Sequence, residues 1–368
     1  MARKYTSLLV VLIGYCQFVW AQSPPLRTKS SEVDTVFLPI IQYFANTRRE
    51  LRDTTTYPLP TLYESQYYTL KLAHSALHWS KHKRSVHNPF GDDKYPLSYS
   101  VLYKGCLVSL FSPGFFACYN SANWTRNKVL EKQLNAKRFH YHWLINGQLI
   151  GLSGGRYWVF TDQIGWTLYL NPVPFGKQPK LFEDSKYLAY SNCKGEFGGT
   201  IFFYEKQSRK IHSTQAVCAN WVYHTQDGYH VLSNLGHMIG SADEQVIQDP
   251  GRLPSPEPKN AKPGAPDLTV TKLQFDLTGI QLFGGFLLQN KAVYLTLVGN
   301  GTCLATLSGK TFTIIDPLFD SEIYTHNPVS TTYGEITVIN LDFYGLGREH
   351  EVQCLVIRNG HVELIQWI

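Results

Sequence analysis

Three histidines recur at intervals of four positions, at His74, His78 and His82. On a helix this spacing would place the imidazoles along one face, where two neutral rings one turn apart can bind Zn²⁺ or Cu²⁺. The side chains between them are polar, which is equally typical of a solvent-exposed helix face, and no nearby carboxylate would orient the rings. The three histidines therefore form either a metal site or part of an ordinary polar surface. The sequence predicts no resident cofactor.

A basic run, Lys81-His82-Lys83-Arg84, follows the histidines. It resembles the sites that proprotein convertases cut, with cleavage expected between Arg84 and Ser85. Such cleavage would remove residues 22–84 as a propeptide. The alternative is the charged end of a helix, because Lys and Arg are favoured at the negative pole of the helix dipole.

The segment GLSGG at 151–155 has the residue spacing of a nucleophile elbow, with Ser153 at its centre. A nucleophile elbow requires a strand, a sharp turn and then a helix. The next residues, RYWVF at 156–160, are instead typical of a strand. We therefore interpret the glycines as a hairpin turn and not as a hydrolase site.

Cysteine usage favours an oxidising compartment. Apart from Cys16, six cysteines remain, and an even number in an exported chain predicts disulfides, with buried free thiols as the alternative. No CxxC pair is present, so a zinc knuckle is not expected. Proximity along the chain favours three pairs, which are Cys106–Cys118, Cys193–Cys218 and Cys303–Cys354.

Two triplets have the pattern of N-glycosylation sites, at Asn123-Trp124-Thr125 and Asn300-Gly301-Thr302. Both lie near turn-like sequence, where a glycosyltransferase has access. We expect Asn123 and Asn300 to carry glycans if the source is eukaryotic.

The N-terminal end, up to Ala21, has the pattern of a secretory signal peptide. Arg3 and Lys4 precede an apolar stretch at 7–19, and Val19 and Ala21 provide small residues before a cleavage site at Gln22. No later stretch reaches the ~18 apolar residues that a membrane span requires. The sequence thus predicts a secreted, extracellular protein without membrane insertion.

Basic residues are concentrated in the N-terminal part of the mature chain. Residues 22–87 hold nine Lys and Arg against five Asp and Glu, whereas residues 88–368 hold 23 of each. A nucleic-acid-binding surface would need clustered Lys and Arg, so a balanced body argues against nucleic acid as a partner.

Residues 22–94 differ in kind from the rest of the chain. Apolar residues at helical spacing predict one helix over residues 31–51, with Pro39 as a kink or end, and a second helix over residues 62–83. We therefore expect a short helical, basic N-terminal segment before the main domain at 95–368.

The main domain contains a loose repeat in which two apolar stretches flank a tight turn. Its turns are centred on Gly105, Gly147, Lys186, Gly228, Lys291, Gly334 and Gly360. Most of the intervals between them are close to the period of about 40 residues, with several short strands per unit, that is typical of propeller blades. We predict an all-β main body, a β-propeller of about six blades, with five or seven blades or a tandem of β-sandwiches as alternatives.

Two intervals are irregular and have separate explanations. The interval from Gly228 to Lys291 is long and contains six prolines between positions 250 and 267, which indicates an inserted loop because proline removes ladder donors. The last interval, from Gly334 to Gly360, is short and fits a final set of strands that closes the ring together with an early segment of the chain.

No assembled catalytic signature accompanies this scaffold. The sequence favours a non-enzymatic binding or extracellular-matrix-type protein that contacts an extracellular protein or glycan through loops. The alternative is a carbohydrate-active enzyme, a glycoside hydrolase or lyase, with two carboxylates ~5–9.5 Å apart in a central pocket.

Overall fold

The computed structural model describes residues 35–47, 62–64, 69–91, 94–236, 240–256, 270–298, 301–309, 311–320, 323, 327–341 and 353–368. None of the helices in these ranges is long and apolar enough to cross a membrane.

In its described residues, the N-terminal segment contains one α-helix, a short 3-10 helix and three strands. A 3-10 helix at Thr35–Phe37 leads into α1 (Leu38–Thr47), and the strands are β1 (Leu62–Glu64), β2 (Thr69–Leu72) and β3 (Ser80–Val86). The expected helix within 31–51 is confirmed, and Pro39 is accommodated in its first turn, where a missing backbone N–H costs nothing. The helix predicted over 62–83 is wrong, because this stretch forms strands.

Six sheets follow in chain order, and we number them as blades 1 to 6. Blade 1 contains β4 (Val101–Tyr103), β5 (Cys106–Phe111) and β6 (Phe115–Asn120), and helix α2 (Lys128–Leu134) follows it. Blade 2 contains β7 (Tyr141–Ile145), β8 (Gln148–Ser153), β9 (Arg156–Thr161) and β10 (Gly165–Leu168). Blade 3 contains β11 (Lys180–Glu183), β12 (Tyr187–Cys193), β13 (Gly199–Glu205) and β14 (Ile211–Gln215), with a 3-10 turn at Gly195–Phe197.

Blade 4 contains β15 (Ala219–Thr225), β16 (Gly228–Leu235), β17 (Ser241–Ile247) and β18 (Thr271–Thr278), with a 3-10 turn at Pro250–Arg252. Blade 5 contains β19 (Leu282–Leu288), β20 (Lys291–Val298), β21 (Gly301–Ser308) and β22 (Thr311–Phe319). Blade 6 contains β23 (Val329–Tyr333), β24 (Ile336–Asn340), β25 (Gln353–Arg358) and β26 (His361–Trp367). The predicted six-bladed β-propeller is confirmed.

Each blade is an antiparallel meander whose first strand lies nearest the ring axis, since the first strands of different blades contact one another. The first six turns of the sequence repeat all fall between the first and second strands of a blade. At Asn146-Gly147 both residues have positive φ, 48° and 69°, which explains why this turn takes asparagine and glycine. The seventh turn, at Gly360, joins β25 to β26 within blade 6.

A separate buried apolar cluster fills each of the six interfaces between neighbouring blades, including the one between blades 6 and 1, so the ring is closed. Representative partners, in ring order, are Phe116 with Leu149, Trp143 with Tyr190, Phe203 with Val231, Trp221 with Leu282, Leu295 with Ile339, and Val356 with Leu107.

Strands from the N-terminal segment extend the outer edges of the last two blades. Strand β2 pairs in parallel with β22 of blade 5 and carries β1 on its other side, while β3 pairs in parallel with β26 of blade 6 along its whole length. We call residues 62–86 the clasp. The expectation that an early segment closes the ring is confirmed, and the segment placed before the main domain contributes strands to two of its blades.

Asp316 anchors the clasp between β2 and β3. This fully buried carboxylate accepts the backbone N–H of Trp79 through Oδ2 at 3.0 Å and the Lys81 ammonium through Oδ1 at 2.7 Å. The crossover from blade 5 to blade 6 is thus fixed by a charged contact as well as by strand pairing.

Blade 1 has three strands, and α2 takes the place of a fourth. Buried Glu131 accepts the backbone N–H of Cys118 at 2.9 Å, and Asn135 both accepts from the N–H of Phe116 at 2.6 Å and donates to its carbonyl at 2.9 Å. These bonds satisfy the edge of β6, which would otherwise offer a pairing template to another chain.

One of the three predicted disulfides is present. Cys193, at the end of β12, is bonded to Cys218, just before β15, so the bond joins blades 3 and 4. The described Cys106, Cys118, Cys303 and Cys354 are buried free thiols. The pairs Cys106–Cys118 and Cys303–Cys354 are therefore not formed, and the latter two cysteines lie in different apolar clusters.

The proline-rich insertion lies where the long interval places it, between β17 and β18 of blade 4. Its first residues continue from β17 through the 3-10 turn, and the Leu253 carbonyl bonds Nδ1 of His212 at 2.9 Å. Residues 257–269 lie outside the described part of the chain.

Candidate functional site

A cavity of about 620 Å³ opens at the face of the ring where the first strands of the blades end. We call this the hairpin face, because the turns at Gly147 and Gly334 border the cavity. Its wall is mainly apolar, and six aromatic rings contribute to it. The rings that line it are Trp79, Phe182, Trp221, Tyr223, Phe286 and Tyr333.

Ring contacts hold this wall in place. Trp221 and Tyr223 stack with centroids 4.2 Å apart, and Trp79, from the clasp, packs against Phe286 at 5.5 Å. Because Trp79 belongs to the clasp, the N-terminal segment completes the cavity as well as the ring.

A buried polar cluster behind the wall fixes Tyr223. Glu244 accepts the hydroxyls of Tyr223 at 3.1 Å and Tyr294 at 2.9 Å, and it contacts Nδ1 of His230 at 3.0 Å. Burial opposes a charge on His230, but its bonds to Glu244 and Asp227 outweigh burial and raise the pKa of the imidazole. These contacts hold the Tyr223 ring in place behind the cavity wall.

The rim of the cavity carries a compact ionic cluster. Glu183 bonds the ammonium groups of Lys180 at 2.7 Å and Lys206 at 2.8 Å, and both of its oxygens accept the backbone N–H of Asn146 at 3.0 and 3.1 Å. Burial favours the protonated acid, but the two lysines outweigh it and hold the pKa of Glu183 below its usual value.

This environment is the opposite of what glycoside hydrolysis requires of a general acid. Among the residues described along the cavity, the carboxylates are Glu183 and Glu335. Glu183 is kept ionised and fully bonded, whereas a catalytic acid must stay protonated. Glu335 is exposed on a hairpin, with Nδ2 of Asn359 at 3.4 Å. Glu183 is therefore not placed to act as a general acid.

The open space along the ring axis narrows behind the cavity. A gap of about 20 Å³ separates it from a second cavity of about 360 Å³ at the opposite face, beside the Cys193–Cys218 disulfide. The Thr331 hydroxyl of blade 6 donates to the Lys180 carbonyl of blade 3 at 3.3 Å, which links opposite sides of the ring at the gap. A ligand at the hairpin face thus meets a closed floor.

The three predicted metal ligands do not share a helical face. His74 and His78 lie in the connection between β2 and β3, His78 with a φ of 53°, and His82 lies within β3. Across the described residues, no group of three His, Cys, Asp or Glu side chains could hold a metal ion. The helical premise of the metal prediction is wrong.

The predicted processing site lies inside a strand. Arg84 is in β3, and its Cα partner in β26 is Ile365. Cleavage before Ser85 would cut β3, which is hydrogen-bonded to β26 of blade 6, and would separate most of the clasp from the rest of the chain. Processing at Arg84 stays a prediction.

Ser153 lies at the end of β8 and faces Arg156 across a tight turn, as the hairpin interpretation expects. Asn123 is exposed in a turn where its side chain accepts the Thr125 hydroxyl at 2.7 Å. Asn300 lies outside the described residues. Glycosylation at both positions stays a prediction.

Sequence reasoning did not single out Lys180, Glu183 or Lys206. A signal for Glu183 was present, because it lies three positions before the repeat turn at Lys186. In a propeller the residues just before this turn end the first strand of a blade, at the mouth of the ring.

No protein-family model matches the chain, and no curated protein matches it. Solved structures similar to it include the N-terminal domain of Nup159, with a TM-score of 0.35 and 8% identity over 77% of this chain and 85% of that one. The computationally designed Ika8 protein gives a TM-score of 0.35 and 9% identity over 77% of this chain and 89% of that one. At these values neither similarity carries an argument about function.

Proposed function

We propose that this chain is a secreted, non-enzymatic binding protein whose hairpin face receives an apolar segment of an extracellular protein partner. The observation that carries the proposal is the aromatic wall of the 620 Å³ cavity, which five of the six blades help to line. Concave, mainly apolar sites with a few fixed polar groups are typical of ligand binding.

The ionic cluster at the rim supports a role in orientation. Lys180 and Glu183 line the cavity and are held by each other and by Lys206, so this part of the rim keeps its shape when a partner arrives. A partner segment with an apolar side chain in the cavity and its backbone at the rim matches this arrangement. Secretion is supported by the signal-peptide pattern and is compatible with the Cys193–Cys218 disulfide.

The test is a screen of displayed peptides and an array of neutral glycans against the folded protein, followed by a pair of matched variants. Leu287→Asp places a charge on an exposed residue of the cavity, while Leu273→Asp changes an exposed leucine on β18, away from the cavity. We expect selected peptides to lose binding to the Leu287 variant by about a hundredfold, because a charge in an apolar contact remains desolvated. Binding to the Leu273 variant should not change.

Two results would overturn the proposal. One is peptide binding that the two variants weaken equally. The other is hydrolysis or cleavage of a glycan by the wild-type protein that disappears in Glu183→Gln or Glu335→Gln, which would identify the protein as a carbohydrate-active enzyme. Recovery of the protein in the culture medium with Gln22 as its first residue would support secretion.

A further inference from the structure

Two carboxylates and two neutral oxygen-bearing side chains lie on one face of blade 4, and we call them the oxygen cluster. Asp243 on β17 is the Cα partner of Ser233 on β16 and of Asp276 on β18. Directly opposite residues of antiparallel strands share a face, with Cβ atoms about 5 Å apart. Gln245 lies two positions beyond Asp243 on the same strand, so alternation places it on this face too.

The oxygen cluster lies where blades 3 and 4 meet. The Gln245 amide donates from Nε2 to the Gln215 carbonyl of blade 3 at 3.0 Å. On its other side, Ser233 has Ala219 as its Cα partner, and Ala219 directly follows the disulfide-bonded Cys218. The cluster is therefore next to the junction that the disulfide joins, away from the cavity of the hairpin face.

No positive charge of the protein compensates the two carboxylates. Among the described residues, no Lys, Arg or His forms an ion pair with Asp243 or Asp276. Burial is the main cause that raises the pKa of Asp243 to about 6, and the charges of Asp276 and Glu244 add to it, while Gln245 and Ser233 lower it. Like charges directly opposite each other in a sheet are destabilising. A cation held between the two carboxylates would remove this repulsion.

The two neutral oxygens also have lone pairs to offer. Ser233 is 1% exposed, and neither its Oγ nor the Oε1 of Gln245 has a well-aligned hydrogen bond among the described residues. Both side chains nevertheless reach Asp243, since both lower the pKa of its carboxyl. Buried polar atoms in native proteins have partners, and the oxygens of a hydroxyl and of an amide can each give a lone pair to a metal ion.

We propose that the oxygen cluster is a binding site for Ca²⁺. All four side chains supply oxygen, and Ca²⁺ takes about six to eight oxygen ligands from carboxylates, carbonyls and water in a flexible geometry. Mg²⁺ demands a stricter octahedron and loses its water reluctantly, so it fits this set less well. The cluster contains neither imidazole nor thiolate, which the transition metals prefer. It is distinct from a group of three His, Cys, Asp or Glu ligands, which does not occur in the described part of the chain.

The experiment measures Ca²⁺ binding to the full chain by isothermal titration calorimetry, together with thermal unfolding in CaCl₂, in MgCl₂ and in EDTA. Asp276→Asn removes the exposed carboxylate, and Ser233→Ala removes the buried hydroxyl with little change in volume. The matched control is Asp320→Asn, an equal charge change at a side chain that is 94% exposed. Unfolding in EDTA confirms that the three variants fold. Asp243→Asn is left out, because it should stabilise the calcium-free protein by itself.

We expect the wild type to bind Ca²⁺ with a dissociation constant of about 10⁻⁴–10⁻³ M, as extracellular calcium modules do. It should unfold at a higher temperature in CaCl₂ than in EDTA, because a ligand that binds only the folded state stabilises it. Both cluster variants should bind Ca²⁺ at least about tenfold more weakly, since each loses a direct contact with a charged ligand. Asp320→Asn should bind like the wild type.

Three results would overturn the site. The first is an absence of Ca²⁺ binding by the wild type. The second is an equal loss in Asp276→Asn and Asp320→Asn, which would show general screening of surface charge. The third is full affinity in Ser233→Ala, which would show that Ca²⁺ only neutralises the carboxylates from solvent. Equal stabilisation by MgCl₂ would overturn the assignment to calcium.

Discussion

Asp243 and Asp276 face each other across β17 and β18, so two carboxylates share one side of blade 4. The pKa of Asp243 is raised to about 6, mainly by burial; a bond to Gln245 opposes the rise and the charge of Asp276 adds to it. At neutral pH the protein therefore keeps a partly buried negative charge that burial disfavours.

Asp243→Asn should stabilise the protein at pH 8. Because the folded-state pKa lies above the unfolded value of about 3.9, the native state binds the proton more tightly, and wild-type stability should rise as pH falls through 6 towards 4. The variant should lack this part of the pH dependence and gain about 1–2 kcal/mol in free energy of unfolding at pH 8. Urea denaturation from pH 4.5 to 8 measures both.

The control for this prediction is Asp320→Asn, a change at a side chain that is 94% exposed. It should leave the pH profile within about 0.5 kcal/mol of the wild type. A loss of stability in Asp243→Asn at pH 8 would show that ionised Asp243 is needed by its partners and would contradict the prediction.

Asp316, a carboxylate of blade 5, holds β3 and the connection before it in position through its contacts with Trp79 and Lys81. Replacing Asp316 by Asn should lower the free energy of unfolding by about 2–3 kcal/mol, because it leaves the Lys81 ammonium without its partner in a half-buried position. The measurement is urea denaturation, with limited proteolysis to detect early opening at residues 73–80.

Asp162→Asn is the matched comparison, since its partner Lys104 and Asp162 itself are both exposed. Exposed ion pairs contribute little, so we expect a change below about 1 kcal/mol. Equal effects of the two substitutions would mean that Asp316 contributes no more than a surface ion pair and that strand pairing alone holds the clasp.

The elements that could be predicted from the sequence are those whose partners lie next to them in the chain. The hairpins at Asn146-Gly147 and Asn359-Gly360 form as expected, because each turn directly joins the two strands that pair around it. The clasp strands instead pair with strands of the last two blades, at the other end of the sequence. Their sequence contains helical spacing by coincidence, and only the distant partner decides their conformation.

In the candidate site, too, the features that could be predicted are those whose partners lie close together in the sequence. The repeat located the turns that border the cavity, and one disulfide followed from proximity in sequence. The pairing of Glu183 with Lys206, and the positions of Cys303 and Cys354 in separate clusters, depend on how blades are arranged around the axis. A repeat period gives the number of blades but does not specify which side chains meet.

At the scale of the whole molecule, the sheet of blade 6 contains strands from both ends of the chain, since β3 pairs with β26. The clasp precedes blade 1 in the sequence and covers the outer edges of blades 5 and 6, where β3 lies next to the C-terminal strand β26. The clasp also supplies apolar side chains to three interface clusters, with Leu70 and Leu72 between blades 4 and 5, Trp79 between blades 5 and 6, and Val86 between blades 6 and 1.

A chain that begins at His87 should therefore fail to form a stable ring. It lacks α1 and β1–β3, so the edges of β22 and β26 are exposed and three apolar clusters are incomplete, and both changes favour aggregation over folding. We expect this variant to be insoluble or to lack a cooperative thermal transition. Adding a synthetic peptide of residues 62–86 during refolding should restore the transition, because the peptide can still pair its strands with β22 and β26.

A peptide of the same composition in scrambled order is the control and should restore nothing, since strand pairing and the contacts of Lys81 and Val86 depend on register. If the truncated chain instead unfolds cooperatively at the wild-type temperature, the six interface clusters close the ring by themselves. The clasp would then act only in completing the cavity through Trp79. Rescue by both peptides would show general protection of exposed edges, and rescue by the native order alone would show that specific pairing of the clasp closes the ring.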